Sequence, residues 1–339
     1  MVDEPAPMRR ATVPDPDAPM VRVVVPEADK LIGVRHPVLQ HGYVVLVDYM
    51  GNDGAIVQAA RVSYGQGTRT LRDDRGLIRY LLRHRHTTPF EMVEYKFLVR
   101  LPIFVARQWI RHRTGSINEY SARYSIVPDE FEVPPADEVR HQSTRNRQGR
   151  GERLDPATVE RFRTDLERVS REAYEAYSRA LGAGVARETA RLVLPVAYYT
   201  QWYWKVNLWN LFHFLALRLD PHAQEEIRLY AAEVARLGRL VCPVAFEAFD
   251  EFTLGSVPLS RSEQTALRAV LAGRSPEEAC GDAGLPLVRE DGRPMTSGEG
   301  VEFLEKLARL RGEPSEPPPP EPPGPARPAR PRGRSRPGG

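Results

Sequence analysis

The uneven placement of proline is the feature that most constrains what this chain folds into. Of its 31 prolines in 339 residues, many crowd into Gly312 to Gly339, a run of Pro, Glu, Arg and Gly. Such a run buries too little apolar surface to offset the entropy of ordering, so it is expected to be a disordered tail. Met1 to Pro19 is rich in Pro and Asp, reads as a disordered leader, and lacks the apolar stretch of a signal peptide. Folding is thereby confined to the residues between. At 41% hydrophobic and 27% charged, the chain has the balance of a globular protein with a real core. A net charge of +3 gives no bulk attraction for nucleic acid. No apolar run approaches the roughly 20 residues that span a bilayer. Two cysteines, Cys242 and Cys280, make neither a disulfide framework nor a cysteine zinc site, so no structural metal is expected and a reducing cytoplasm is the natural setting.

The interior alternates strand and helix signals, which predicts an α/β chain of the α+β type. Gly42 to Met50 is β-branched and reads as a strand, as does Met92 to Leu101. Gly54 to Val62 is a short helix candidate, and Leu71 to His84 carries Leu77, Tyr80, Leu81 and His84 at helical spacing. A helix is predicted from Pro102 to Arg113, burying Val105, Trp109 and Ile110, with Gly115 as its stop. Asp137 to Leu154 reads as a polar loop, and Pro156 to Leu181 as a long amphipathic helix. The aromatic run Tyr198 to Val206 is a strand candidate, followed by a helix from Asn207 to Arg218. Asp220 is placed to cap a further helix, with Pro221 at its first position, running to about Val241. Ser260 to Ala272 and Gly298 to Leu310 form a small helical appendage over 257–311, and Ser260 with Glu263 has the capping-box spacing.

Chemistry concentrates in Arg111 to Tyr124, RHRTGSINEYSARY. Arg111, His112 and Arg113 suit either a helix C-terminus, where cations are favoured, or an anionic ligand. An extended Glu119 to Ser125 would put Glu119, Ser121 and Arg123 on one face and turn Ala122 and Tyr124 toward packing. A carboxylate, a hydroxyl and a guanidinium together suit a phosphorylated, hydroxylated ligand.

These residues resemble the signature of flavin-dependent thymidylate synthases, R-H-R-x-x-S-x-N-E-x-S-x-R-Y, at every fixed position. The resemblance extends from about Gly42 to Phe252. Ala59-Ala60-Arg61-Val62-Ser63 is similar to the family's A-A-R-V-S segment, and His86 with Thr88-Pro89-Phe90-Glu91 to its H-x-T-P-F-E segment. Gln142-Ser143, Asn146 and Gln148-Gly149 resemble a loop of many members, while Ala190 to Pro195 and Asn207 to Gln224 align with the last binding segments. The resemblance implies a central, mostly antiparallel sheet flanked by helices, over a catalytic domain from 20 to 256. It also implies reductive methylation of dUMP to dTMP, with FAD as cofactor, NADPH as reductant and methylenetetrahydrofolate as carbon donor. A homotetramer with shared sites is implied too, with neither membrane nor specific nucleic acid as partner.

By the same resemblance, Gln108, Glu119, Ser121, Arg123, Arg191 and Arg218 line the dUMP site, and Arg191 reaches it from a neighbouring subunit. Ser63, Thr88, Glu91, Arg111, His112, Arg113, Asn207, His213 and His222 contact FAD. Arg218, His86 and Ser121 make the catalytic set. Arg218 shares a helical stripe with Phe214 and roughly with Asn207, and its guanidinium would stabilise charge developing on the pyrimidine oxygens. Neither cysteine belongs to this constellation, so the ring is not activated by a cysteine nucleophile. The sequence departs from the common family pattern at Trp209, Met92 and His213, which touches the adenosine end of the FAD site. Two other functions stay open on these residues: a flavin reductase or oxidase that consumes NADPH without dUMP, and a nucleotide-binding homologue without catalysis. Deleting Gly312 to Gly339 is expected to leave dTMP synthesis unchanged, and a large loss of turnover in the truncated protein would overturn the reading of that tail.

Overall fold

The computed structural model describes residues 23–62, 74–143 and 149–313. The chain opens with α1 (Pro26–Asp29), β1 (His36–Val38), β2 (Gly42–Met50), α2 (Asp53–Val62), α3 (Asp74–Arg83) and α4 (Thr88–Glu91). Then follow β3 (Glu94–Pro102), α5 (Ile103–Trp109), β4 (Ser116–Glu119), β5 (Arg140–Gln142), β6 (Arg150–Arg153), α6 (Pro156–Gly182) and α7 (Arg187–Ala190). The last part comprises β7 (Tyr199–Asn207), α8 (Leu208–Arg218), α9 (Glu225–Val241), α10 (Pro243–Phe249), α11 (Arg261–Leu271), α12 (Pro276–Asp282) and α13 (Glu299–Leu310).

Five strands form one sheet in the order β1-β2-β3-β7-β4, every pair antiparallel. The central strands alternate strictly. Tyr95, Phe97, Val99 and Leu101 of β3 are buried, as are Thr200, Trp202, Trp204 and Val206 of β7. Their register places Phe97 opposite Trp204 and Val99 opposite Trp202, so these side chains share one face. Helices α5, α8, α9 and α10 cover that face, and the buried side chains of sheet and helices make one continuous core. Each large aromatic so buried contributes about 1.5–3 kcal/mol. The edge strand β4 enters by the same logic, with Ile117 opposite Trp204 and Glu119 opposite Trp202.

Two buried groups tie distant parts of the chain together. Asp53, at the start of α2, accepts the backbone N–H groups of Val244 and Ala245 at 2.9 Å each and so caps α10 across the fold. Burial pushes its carboxyl up to about 6, against the pull of those two hydrogen bonds. Tyr230 of α9 donates to the Arg100 carbonyl at 2.7 Å, and its hydroxyl sits over Gly42. Residues 261–310 pack around a hydrophobic cluster of their own, Ala266, Ala279, Cys280, Leu285, Phe303 and Leu307.

Several expected boundaries move. The predicted helix from Pro102 stops at Trp109, since Arg111 to Arg113 leave it in a turn, and Ile110 is 49% exposed where burial was expected. Asp137 to Leu154 is not all loop: β5 and β6 pair there as a hairpin, which its polar side chains gave no apolar alternation to signal. Asp220 does not cap α9. It accepts from the His222 N–H at 2.8 Å within a turn, and α9 starts after Gln224. On α3 the buried face is Leu77, Ile78, Leu81 and Leu82; Tyr80 is half-buried and His84 exposed. The appendage has three helices, not two. The missed α12 carries its own capping box, Ser275 with Glu278, as α11 does with Ser260 and Glu263. The leader, and all of the tail beyond Glu313, lie outside the described residues.

Gly42→Ala tests the packing of Tyr230. An added Cβ would lie 1.8 Å from the Tyr230 hydroxyl and 2.6 Å and 2.8 Å from the carbonyls of Val38 and Arg100. Overpacking of this kind costs about 1–3 kcal/mol. Thermal denaturation should show a clear fall in Tm, whereas an unchanged Tm would mean that β1 and β2 do not meet α9 as described.

Candidate active site

The polar cluster begins with a hydrophobic residue. Trp109, the last of α5, is fully buried, with its ring 4.5 Å from Phe214 and 5.0 Å from Trp204. This pins the end of α5 between β7 and α8. The chain then turns through Ile110 to Gly115, where the His112 N–H donates to the Trp109 carbonyl at 2.9 Å. Gly115 is needed for close approach and not as a helix stop: a Cβ there would lie 2.6 Å from Trp204 Nε1 and 2.9 Å from the Lys205 carbonyl.

Against this turn lies the last turn of α8. Arg218 Nε donates to His112 Nε2 at 2.9 Å, and Nη2 to the Gln108 carbonyl at 3.3 Å. The His112 ring stands edge-on to Phe214 at 5.0 Å and to His213 at 5.8 Å, and is 8% exposed. Burial, then the Arg218 guanidinium, then His213 push His112 down to about 4, so it is neutral at pH 7. Since Nε2 accepts, the ring proton is assigned to Nδ1. Burial also lowers the Arg218 guanidinium, which stays charged at neutral pH. The Gln108 side-chain amide donates to the side-chain Oε1 of Gln224, the N-cap residue of α9.

A second group gathers around β4 and α7. Glu119 accepts from Thr200 Oγ1 at 2.6 Å. The extended face predicted for Glu119 to Ser125 does not form, because the backbone turns at Ser121, whose carbonyl accepts from the N–H groups of Tyr124 and Ser125. Tyr124 is consequently 71% exposed and does not pack inward. Ser121 Oγ accepts from the Arg123 N–H at 3.3 Å, and Arg123 Nε donates to Glu188 of α7 at 3.2 Å. Arg191 is exposed just beyond α7.

The structure thus brings Gln108, His112, His213 and Arg218 together, and separately Glu119, Ser121 and Arg123 with α7. Among the described residues, no hydrogen bond, ion pair or ring contact joins the two groups. Asn207 caps α8, accepting from the Asn210 N–H at 2.9 Å, so it lies at the opposite end from Arg218. Eleven residues on, at 3.6 per turn, Asn207 and Arg218 point within about 20° of one another, but they lie about 16 Å apart along the axis at 1.5 Å per residue. Thr88 and Glu91 reach that opposite end through Phe90, whose ring is 6.2 Å from Trp209 and 6.4 Å from Phe212. Trp209 therefore serves the core where a charged residue would stand free. His86 is exposed and stacks on Tyr80 at 6.0 Å, with no contact to His112 or Arg218. His222 is exposed in the turn after α8 and bonds Asp220 through Nδ1 at 2.9 Å. Ser63, Asn146 and Gln148 lie outside the described residues. Sequence reasoning gave no role to Gln224 or Thr200, whose partners are 116 and 81 residues away, separations that carry no periodic signal.

This donor set suits a flavin dinucleotide. Arg111, Arg113 and His213 are exposed cations or ring donors with no ion-pair partner among the described residues, and Thr88 is an exposed hydroxyl. Asn207 spends its oxygen on α8 and keeps its amide hydrogens for a ligand.

The family described as "Thymidylate synthase complementing protein" matches residues 45–244. The chain is 54% identical over 244 residues to the flavin-dependent thymidylate synthase of Ruegeria pomeroyi, covering 71% of this chain and 81% of the relative. It is 53% identical over 239 residues to that of Dictyostelium discoideum, covering 68% and 78%. Among solved structures it is similar to a UMP/dUMP methylase, PolB, from Streptomyces cacaoi bound with 5-Br dUMP. Identity there is 40% and the TM-score 0.57, covering 64% of this chain and 97% of the other.

The lowered value at His112 has a consequence for stability. The unfolded imidazole titrates near 6.5 and the folded one near 4, so as pH falls the unfolded state takes up the proton first. His112 therefore subtracts stability across that window and adds no slope outside it. Against a His112→Gln variant, wild-type Tm should lose a few degrees of relative stability as pH falls from about 6.5 to about 4. Parallel Tm curves for the two proteins would contradict the burial of a neutral imidazole.

Proposed function

Because this chain belongs to the flavin-dependent thymidylate synthase family, we propose that it converts dUMP to dTMP, with Arg218 as the residue that polarises the uracil ring. Bound FAD, reduced by NADPH, supplies the hydride of this reaction, and methylenetetrahydrofolate supplies the carbon. Everything else falls to the protein's own groups.

The observation that carries the reading is the Arg218 guanidinium. It is held by Nε and by one Nη2 hydrogen, with the remainder of its fork unspent. A fixed, partly desolvated cation aimed at a pyrimidine stabilises negative charge on the ring oxygens as it develops. A covalent alternative from cysteine is closed off. Cys242 is fully buried and burial pushes its thiol well up, while Cys280 is buried in the appendage. Gln108, Glu119, Ser121, Arg123 and Arg191 hold the nucleotide, the two arginines and the serine hydroxyl toward its phosphate. Thr88, Glu91, Arg111, His112, Arg113, Asn207, His213 and His222 hold the dinucleotide around α8, with Ser63 completing the set. His86 and Ser121 stand with Arg218 in the catalytic set. We propose further that the sites are completed by a neighbouring subunit, in a homotetramer. The catalytic unit comprises 20–256, and 257–311 is an appendage to it. Among the described residues, no helix is long and apolar enough to cross a membrane, and the cytoplasm is the proposed setting.

Tritium release from C5-labelled dUMP under low oxygen should require FAD, NADPH and methylenetetrahydrofolate together. Arg218→Ala should cut that release by about a hundredfold or more while FAD stays bound. Near-normal release in the variant removes Arg218 from the reaction. NADPH oxidation by wild type without release would favour a reductase.

A further inference from the structure

We propose that His112 is a positioning residue for Arg218: its imidazole accepts the Arg218 Nε–H and fixes the plane in which the guanidinium meets the nucleotide base. The proposal rests on the function above but assigns His112 a task other than contact with the flavin.

An arginine at the end of an exposed helix turn samples many rotamers, and ordering it has an entropic cost. Here two bonds remove that freedom. The Gln108 carbonyl takes one Nη2 hydrogen at 3.3 Å, a long contact that alone leaves the guanidinium free to rotate. The second, from Nε to His112 at 2.9 Å, defines the plane, because Nε is the one guanidinium nitrogen on the side-chain stem. His112 is itself fixed three ways: by its N–H to the Trp109 carbonyl, by the Phe214 ring against its own, and by burial. The anchor is thus rigid before any ligand arrives.

An acceptor for Arg218 could have been a carboxylate, and the choice of imidazole has a physical reason. A buried carboxylate would neutralise the guanidinium and weaken its pull on the pyrimidine oxygens. A neutral imidazole accepts the same hydrogen and leaves the positive charge intact. The surroundings enforce neutrality. The charged or titratable groups that face His112 are Arg218 and His213 from α8, while Arg111 and Arg113, its neighbours in sequence, are exposed. Neither α5 nor α8 carries a carboxylate. Protonating His112 would also remove the acceptor and set two cations in contact, so acid should release Arg218 and with it the base.

The test uses the FAD-loaded protein without folate or reductant. Calorimetry measures dUMP affinity from pH 4 to 8 at saturating FAD, and visible absorbance reports flavin content. His112→Phe keeps the packing on Phe214 and removes the acceptor. It should weaken dUMP binding to the FAD-saturated protein by about tenfold or more, the loss of one hydrogen bond to a charged group. His112→Gln restores an acceptor oxygen near the Nε2 position. It should recover dUMP affinity to within about threefold and flatten the wild-type decline as pH falls toward about 4, where the imidazole takes up its proton and an amide does not. Equal dUMP affinity in wild type and His112→Phe at saturating FAD overturns the proposal and would make His112 a flavin ligand alone. Should the phenylalanine variant not fold, ring 15N shifts of wild-type His112 decide the matter. A bare Nε2 at pH 7 supports the proposal and a protonated Nε2 overturns it. If wild type itself fails to bind dUMP, the thymidylate synthase reading falls first, an outcome distinct from these.

Discussion

The site depends on one aromatic contact, the insertion of Trp109 between Trp204 of the sheet and Phe214 of α8. Three elements meet in that side chain, and two of them lead into the candidate site. The residue before Trp109 is Gln108, the residues after it are the 111–113 turn, and one turn beyond Phe214 on α8 is Arg218. The cost is visible in the same place. The indole N–H groups of Trp109, Trp202 and Trp204 have no hydrogen-bond partner, about 1–3 kcal/mol each. Edge-on and tilted ring pairs return about 0.5–1.5 kcal/mol apiece beyond area burial, and burial of the rings themselves supplies the rest. Geometry at the site is fixed by apolar packing, so that polar groups there are left for ligand.

The sequence announced the three strands β2, β3 and β7 and gave no sign of β1, β4, β5 or β6. Gly42 to Met50 was legible to the residue, because a β-branched run bounded by Gly42 and Gly51 has no competing helical reading. The helices α6, α8 and α13 were legible within a residue or so at their ends, whereas α9 starts four residues later than Pro221. What escaped was set by tertiary partners. The helix from Pro102 was read four residues too long at its end, because Ile110 continues the apolar spacing while Trp109, held by β7 and α8, ends the buried stretch. The turn at Ser121 escaped because an alternating stretch also fits a strand; α7, bonded to Arg123 and Tyr124, holds it as a turn. At the site, the composition of Arg111 to Tyr124 signalled an anionic ligand, and likeness to a family named its parts. Neither could show that His112 and Arg218, 106 residues apart, share a hydrogen bond.

Charge explains why these residues are worth holding in so costly a way. His112 is driven down by burial and by Arg218, and Arg218 is driven down by burial, with no carboxylate nearby to offset either. Elsewhere the protein pairs its partly buried arginines readily. Arg150 meets Glu226 and Glu138, Arg236 meets Glu233, and Arg100 meets Glu130. Arg218 is therefore an exception within its own structure, a desolvated cation given only neutral acceptors. Local rules of this kind are broken where function requires it. An unpaired, partly desolvated charge is destabilising, and under the proposed function a pyrimidine base whose oxygens accept hydrogen bonds relieves it on binding. Binding then stabilises the fold in the same measure. The fold thus stores its discrimination as an unmet electrostatic demand, which a pyrimidine able to take up negative charge at its oxygens meets and an apolar ring of the same size does not.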